Sequence, residues 1–577
     1  MPQPVGGLAC DDGTFSADIA GVSPGDWISA IAVDQTVNPG DTSMFATNVR
    51  VVDYPAPTLS HLSPNSGTNT GIAVIGDVHG TGFRAGATIA LKKAGQPDIP
   101  GQSLSVIAPE RISCAFDLSG AATGAWDVVV TNDDNKTATL AGGFSVALPT
   151  VPVGYLAEGS TAWGFSTTIT ILNPNNMPET ARITYMDPHR TSGTGVLKTR
   201  LISLPAQSQT KINANDDLGC EVDFSTLVES MTGHMLTIDR TMMWTGPGAA
   251  APEAHSSIAA LQPSAVWYLP EGSSAWGFET WTLVLNPGPT DAKVGLTYMI
   301  EGTGPVTKTH TVPAYSRATF GMADDIGASM DASIKVTSDQ RVVAERSIYR
   351  NNRREGSCSL GATAPSKSFY LAEGSTAWGF TTYVLVQNPN NSQAKVTLTY
   401  QTPDGPIAQP AFTMPANSRR TVRVNDVKGL SKTDLSTSVS ADKPIVAERA
   451  MYWDNGTGEA CHDSIGLARP AAAFFLPDGC TDYGWETWTI VQNPNPEPVR
   501  IAVTYMTPTG KGNVRFDDVI PAGSRRTYSM SDKIKGGNAS IMVFSLVIDR
   551  PIMVERSMYK DNKSAGTDTI GDPAYLR

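Results

Sequence analysis

The chain has 577 residues, of which 40% are hydrophobic and only 17% charged, with 53 glycines, 40 prolines and a formal net charge of −12. That length exceeds what one core can organise, and abundant turn formers with few charged faces favour an all-β protein. The acidic balance, without any long basic run, argues against a nucleic-acid partner, and no apolar stretch is long enough for a transmembrane segment.

The first residues, "MPQPVGGLACDDG", lack the basic and apolar regions of a signal peptide. Residues 13–52 read as the last strands of a sandwich and resemble the β-domain that follows repeat regions in large bacterial surface proteins. Some forty residues are too few for an independent core, so a partial β-sandwich is expected over 1–54.

A different sandwich is expected over 55–148. "LSPNSGTNTG" from Leu62, "GTGFRAGA" from Gly80, "GAWDVVVTN" from Gly124 and "FSV" at Phe144 resemble the IPT/TIG family of immunoglobulin-like domains. The resemblance implies a spacer or interaction module of extracellular proteins. "TNDDNKT" (Thr131–Thr137) reads as a hairpin turn rather than a calcium loop, because Asp and Asn tolerate left-handed backbone.

Four copies of one pattern follow: "YLAEGSTAWGFSTTITILNPN" from Tyr155, "YLPEGSSAWGFETWTLVLNPG" from Tyr268, "YLAEGSTAWGFTTYVLVQNPN" from Tyr370 and "FLPDGCTDYGWETWTIVQNPN" from Phe475. Their Asn-Pro asparagines, Asn173, Asn286, Asn388 and Asn493, are spaced by 113, 102 and 105 residues. Such a period means whole tandem domains rather than a solenoid, placed at 149–262, 263–365, 366–469 and 470–577. In each copy an alternating strand such as "KVTLTYQ", a turn and strand such as "PANSRRTV", and a segment such as "IVAERAMYW" follow in register. The predicted fold class is all-β, with tandem immunoglobulin-like β-sandwich domains arranged as beads on a string. Five or six sandwiches end to end would make a rod of roughly 150–200 Å. The four copies also resemble "YLAEGSTAWGF…QNPN" repeats of large secreted bacterial surface proteins, which implies placement more than mechanism.

No HExxH, P-loop, GxGxxG or GxSxG motif is present, and neither an enzyme, a cofactor nor a metal site is expected. His255 and His462 align between copies and read as loop histidines near linkers. Of the six cysteines, only Cys461 and Cys480 lie close enough in sequence to suggest a disulfide. In "PIVAERAMY", strand alternation puts Arg449 on the row of Ile445 and Ala447, and the same phase puts Arg240, Arg346 and Arg556 among apolar neighbours. A guanidinium there needs an anion, and the recurring "EG" acid is the candidate. The expected pairs are Glu158–Arg240, Glu271–Arg346, Glu373–Arg449 and Asp478–Arg556, against the alternative that the arginines snorkel to the edge. Trp163, Trp276, Trp378 and Tyr483 read as plugs over the sandwich ends, with an exposed glycan platform as the alternative.

These features together predict a non-enzymatic extracellular protein of the cell surface: a stalk, or a surface-layer or filament component. Its expected partners are further copies of itself, other cell-surface components, or glycans. A carbohydrate-binding array and the accessory region of a secreted enzyme are the alternatives.

Overall fold

The computed structural model describes residues 23, 25–28, 49–50, 54–68, 72–118, 121–147, 153–188, 195–249, 251–454, 459–547 and 549–573. Most of the expected partial sandwich at 1–54, Cys10 included, lies outside them. Within that segment Trp27–Ile28 pairs antiparallel with Val49–Arg50. The chain forms two compact units: one built mainly from residues up to Phe144, the other carrying everything from Ser145 onward.

In the first unit, Thr88–Lys92 pairs with both Ile99–Ala108 and Gly124–Thr131. Val78, Ile89, Leu91, Phe116, Trp126, Val128 and Phe144 are buried. The "TNDDNKT" segment is a hairpin turn: Asn135 has φ 61°, Asn132 N–H donates to Lys136 O at 3.0 Å, and Arg84 pairs with Asp133 and Asp134 at 3.2 and 3.1 Å.

The second unit contains the four repeats, and repeat 1 shows their plan. One sheet runs Val153–Leu156, Ser225–Ser230, Glu179–Met186, Val196–Leu204, and the other runs Ser208–Asn213, Ser166–Asn173, Thr237–Trp244, Glu253–Ile258. Glu179–Met186 buries every second residue over most of its length, as a strand with one face on a core must. The Asn-Pro asparagine is a buried latch. Asn173 Nδ2 donates to the carbonyls of Met177 and Pro205 at 2.9 and 2.8 Å, and its Oδ1 accepts from Asn175 N–H at 3.0 Å. Asn286, Asn388 and Asn493 repeat the same bonds. Proline after the latch ends the strand because it cannot donate to the ladder.

The all-β, multi-sheet architecture agrees with the sequence. The four repeats, however, are not strung in a line. The last strands of the copies, Glu253–Ile258, Glu355–Leu360, Glu459–Ile465 and Ala565–Ile570, each contact the next, and the fourth contacts the first. Repeat 4 thus closes on repeat 1, far away in sequence. Gln209 Nε2 donates to Pro477 O at 3.0 Å, and Leu172 packs with Ala473, Phe475, Met506 and Met542. The string fails because it assumed that the only forces between domains act through linkers. Each repeat instead carries buried charges whose partners lie in its neighbours. We call the four converging strands axial. They line a central cavity of about 10 Å³, room for roughly one water.

Candidate functional site

The ring is made by a dipeptide. Successive side chains on a strand point to opposite faces, so the adjacent acid and arginine of "DR" or "ER" reach opposite neighbours. Arg240 of repeat 1 bonds Glu345 of repeat 2 at 2.7 Å. Arg346 bonds Glu448 at 2.8 Å, Arg449 bonds Glu555 at 2.9 Å, and Arg556 closes the circle on Asp239 at 2.8 Å. Each arginine also reaches the axial strand of the next repeat, at Cys358 (3.0 Å), Asp463, Asp568 (2.7 Å) and Ser256 (2.7 Å). All four guanidinium groups are buried, so snorkelling does not occur.

The structure brings Glu158 to Arg240 (3.1 Å) and Glu271 to Arg346 (3.4 Å). It does not pair Glu373 with Arg449, nor the carboxylate of Asp478 with Arg556. Glu373 takes Arg525 of repeat 4 at 3.2 Å, and Asp478 takes Lys211 of repeat 1 at 2.7 Å. Arg556 touches Asp478 only at its main-chain oxygen, at 3.2 Å. The reason is competition: the next repeat offers Glu555 and Asp568 to Arg449, and Asp239 to Arg556. Sequence reasoning within one repeat missed these acids and also missed Arg317, Arg419 and Arg525, which reach main-chain oxygens of the preceding repeat. Their signal was present, since each follows the serine of the recurrent "PAxS" turn.

Charge is crowded where repeats 2 and 3 meet. Burial, with mutual repulsion among Glu271, Glu448 and Asp463, lifts the Glu271 carboxyl to about 7 and that of Asp463 to about 6, against the opposing pull of Arg346. Glu271 and Asp463 are thus harder to ionise than in water.

The interfaces alternate. In odd repeats Trp244 and Trp453 donate their indole N–H to Arg353 O and Lys563 O of the following repeat, both at 2.8 Å. They cover Gly356 and Gly566, where a Cβ would stand 3.1 and 2.5 Å from the indole. His255 and His462 meet Tyr349 and Tyr559 hydroxyls at 3.1 Å. These histidines are therefore not loop residues; both lie buried in axial strands. Burial holds His255 neutral, with its pKa lowered to about 4.

The expected disulfide is absent: Cys461 and Cys480 are both free. Cys461 sits in an axial strand opposite Tyr452. Cys480 instead fills the corner position held by Ser160, Ser273 and Ser375 in the other copies. There its N–H donates to Thr487 Oγ1 at 2.8 Å, as that of Ser273 does to Thr280.

The aromatic plug is also overturned. Trp163, Trp276, Trp378 and Tyr483 are 70%, 79%, 74% and 77% exposed. Each occupies a left-handed position, with φ between 54° and 57°, followed by a left-handed glycine. The backbone closes a tight turn beneath it, as in Phe165 N–H to Ala162 O at 2.9 Å. The turn throws the ring outward, while the next aromatic (Phe165, Phe380) is the one buried. The four exposed rings occupy equivalent positions in the four repeats.

A family model described as a family of unknown function (DUF5719) matches residues 342–450, about one period of the repeat. No curated protein sequence matches the chain. Among solved structures, the chain is similar to a Thermotoga maritima protein at 12% identity and TM-score 0.18, over 18% of this chain and 96% of that one. It is also similar to the Anabaena sensory rhodopsin transducer at 24% identity and TM-score 0.14, over 15% of this chain and 95% of the other. A tetra-tandem repeat from the extending region of a large adhesion protein aligns at 15% identity and TM-score 0.13, over 72% and 100%. Scores this low establish no shared arrangement of the whole chain.

Proposed function

We propose that the protein is a non-enzymatic, extracellular adhesive module of the cell surface, whose four-repeat ring holds four aromatic side chains out toward a glycan. The reading includes the IPT/TIG-like character of 55–148 and the bacterial surface repeats as its setting. Exposure of the four rings on left-handed turns is the observation that carries it. A non-glycine residue in that region costs of order 1–3 kcal/mol, and an exposed ring forgoes its burial energy. Both costs recur at Trp163, Trp276, Trp378 and Tyr483.

A flat ring with a free indole N–H stacks on the apolar face of a sugar and offers a donor to its hydroxyls. The side chains of Trp163, Trp276 and Trp378 have no hydrogen bond or ring contact with another described residue. Isolated rings at four equivalent positions suit a repeating polymer, because linked weak contacts gain avidity. The recurrent ionisable groups support a role without catalysis: they are sealed from solvent in ion pairs that hold the ring together.

Glycan-array binding is the test. The wild-type chain is expected to retain polysaccharides, and the variant Trp163→Ala, Trp276→Ala, Trp378→Ala, Tyr483→Ala to lose them while keeping its circular dichroism spectrum. Absence of glycan binding by the wild type, or full binding by the variant, overturns the reading.

A further inference from the structure

We propose that Glu158, His255 and Cys358 form a transition-metal site between repeats 1 and 2, with Zn²⁺ as the fitting ion. Donor atoms of the three residues all lie within 4.8 Å of one another, and all three residues are buried. Nitrogen, thiolate sulfur and carboxylate oxygen are the donors zinc takes, at bonds of about 2.0–2.3 Å. Only a small contraction separates the present spacing from a coordination shell.

The second observation is an orphan. His255 Nε2 meets the Tyr349 hydroxyl at 3.1 Å, but the buried Nδ1 has no partner. A buried polar atom left unpaired is costly. The equivalent histidine shows how the ring satisfies that nitrogen elsewhere: His462 Nδ1 lies 2.9 Å from Arg449 Nη1. In repeat 1 the arginine has turned away. Arg240 spends its donors on Glu345 Oε2, Glu158 and Cys358 Sγ, and His255 Nδ1 is left without a partner in a cluster with the carboxylate and the thiol.

Cys358 is itself the departure from the repeat. The same axial position holds Ser256 in repeat 1, Asp463 in repeat 3 and Asp568 in repeat 4. An outer shell is in place. The Tyr349 hydroxyl lies 3.1 Å from His255 Nε2 and donates to Glu158 at 3.4 Å, and the Ser347 hydroxyl donates to Glu158 at 2.6 Å, which is how ligating groups are usually held. On binding, the Cys358 S–H bond breaks, a sulfur–metal bond forms and the proton leaves to solvent, with no change of oxidation state. Arg240 remains paired with Glu345. Glu271, Glu448 and Asp463 are clustered as closely, but they offer carboxylate oxygen alone, without the nitrogen and sulfur that favour zinc.

The full chain expressed in zinc- or cobalt-supplemented medium tests this. Elemental analysis is expected to find about one equivalent of metal per chain, and the cobalt form to show a thiolate-to-cobalt charge-transfer band. Cys358→Asp carries the side chain that repeats 3 and 4 accept at this place, so it is expected to fold and, having no thiolate, to lose the charge-transfer band. Cys461→Ser is expected to keep both band and metal. A folded wild type without metal in either medium, or a charge-transfer band that survives Cys358→Asp, overturns the site. Neither result bears on glycan binding by the four exposed rings.

Discussion

Glu448 and Arg449 are neighbours in the chain, yet they hold different repeats: Glu448 accepts from Arg346 of repeat 2, and Arg449 donates to Glu555 of repeat 4. One peptide bond thus joins two interfaces of the ring. Loss of either side chain leaves a buried partner uncompensated, which is far worse than never having buried the pair.

Arg449→Met is therefore expected to destabilise the ring by about 3–5 kcal/mol, because Glu555 and Asp568 stay buried without their guanidinium partner. Adding Glu555→Leu and Asp568→Ser to that variant is expected to restore part of the loss. Urea unfolding of the three proteins checks this; an Arg449→Met chain as stable as wild type contradicts it.

The interface between repeats 2 and 3 sets a pH dependence. Burial lifts Glu271 to about 7 and Asp463 to about 6 from ordinary values of 4.5 and 3.8. An acid raised in the folded state contributes stability that is fully present below its unfolded pKa and is lost as pH rises through its folded pKa. That contribution is expected to fall between about pH 4 and 7. His255, lowered from 6.5 to about 4 by burial, works oppositely and loses stability as pH falls across that window. Melting temperatures of wild type and Glu271→Gln at pH 5 and pH 8 separate the two. The difference between the proteins is expected to shift in favour of the variant at pH 8.

Replacing Trp163, Trp276, Trp378 and Tyr483 by Asn is expected to leave the melting temperature unchanged or higher. Asn tolerates the left-handed backbone at φ 54–57°, and little packing is lost from rings that are at least 70% exposed. A plug would behave oppositely, at about 3–5 kcal/mol for each buried Trp removed. Thermal unfolding decides between them.

Chains cut between repeats 2 and 3 are expected to stay together. The contacts that hold those repeats, from Arg346–Glu448 to Arg419 on Gly272 O, are not covalent, and neither is the closure of repeat 4 on repeat 1. Co-expressed halves that separate on size-exclusion chromatography would show the closure to be weak.

Much of the fold was legible because local rules wrote it. Asn388-Pro389 ends a strand through proline, alternation in "KVTLTYQ" marks a half-buried strand, and four copies in register mark tandem domains. The phase that put Arg449 on a buried row also followed from period two alone. Partners were the illegible part. Sequence distance suggests that an acid and an arginine of one copy should meet, and this serves Glu158 with Arg240. It fails at Arg556, whose acid, Asp239, lies 317 positions away. Nor does composition distinguish a ring that fills a sandwich end from one held out by a turn. Trp163 and Phe165 are two residues apart and meet opposite fates, fixed by the left-handed dihedral of Trp163.

Closure on Asp239 has a consequence for gene architecture. In a circle of equivalent contacts no member is first, so the order of synthesis leaves no mark on the assembled geometry. A circularly permuted gene that starts at the second copy and finishes with the first would meet the same acids, arginines and axial strands. The alternation of Trp244 and Trp453 over Gly356 and Gly566 adds one restriction. Circular shifts keep every large-over-small match, whereas exchanging a single copy with its neighbour would set an indole against the side chain of Cys461 or Ala254 in place of a glycine.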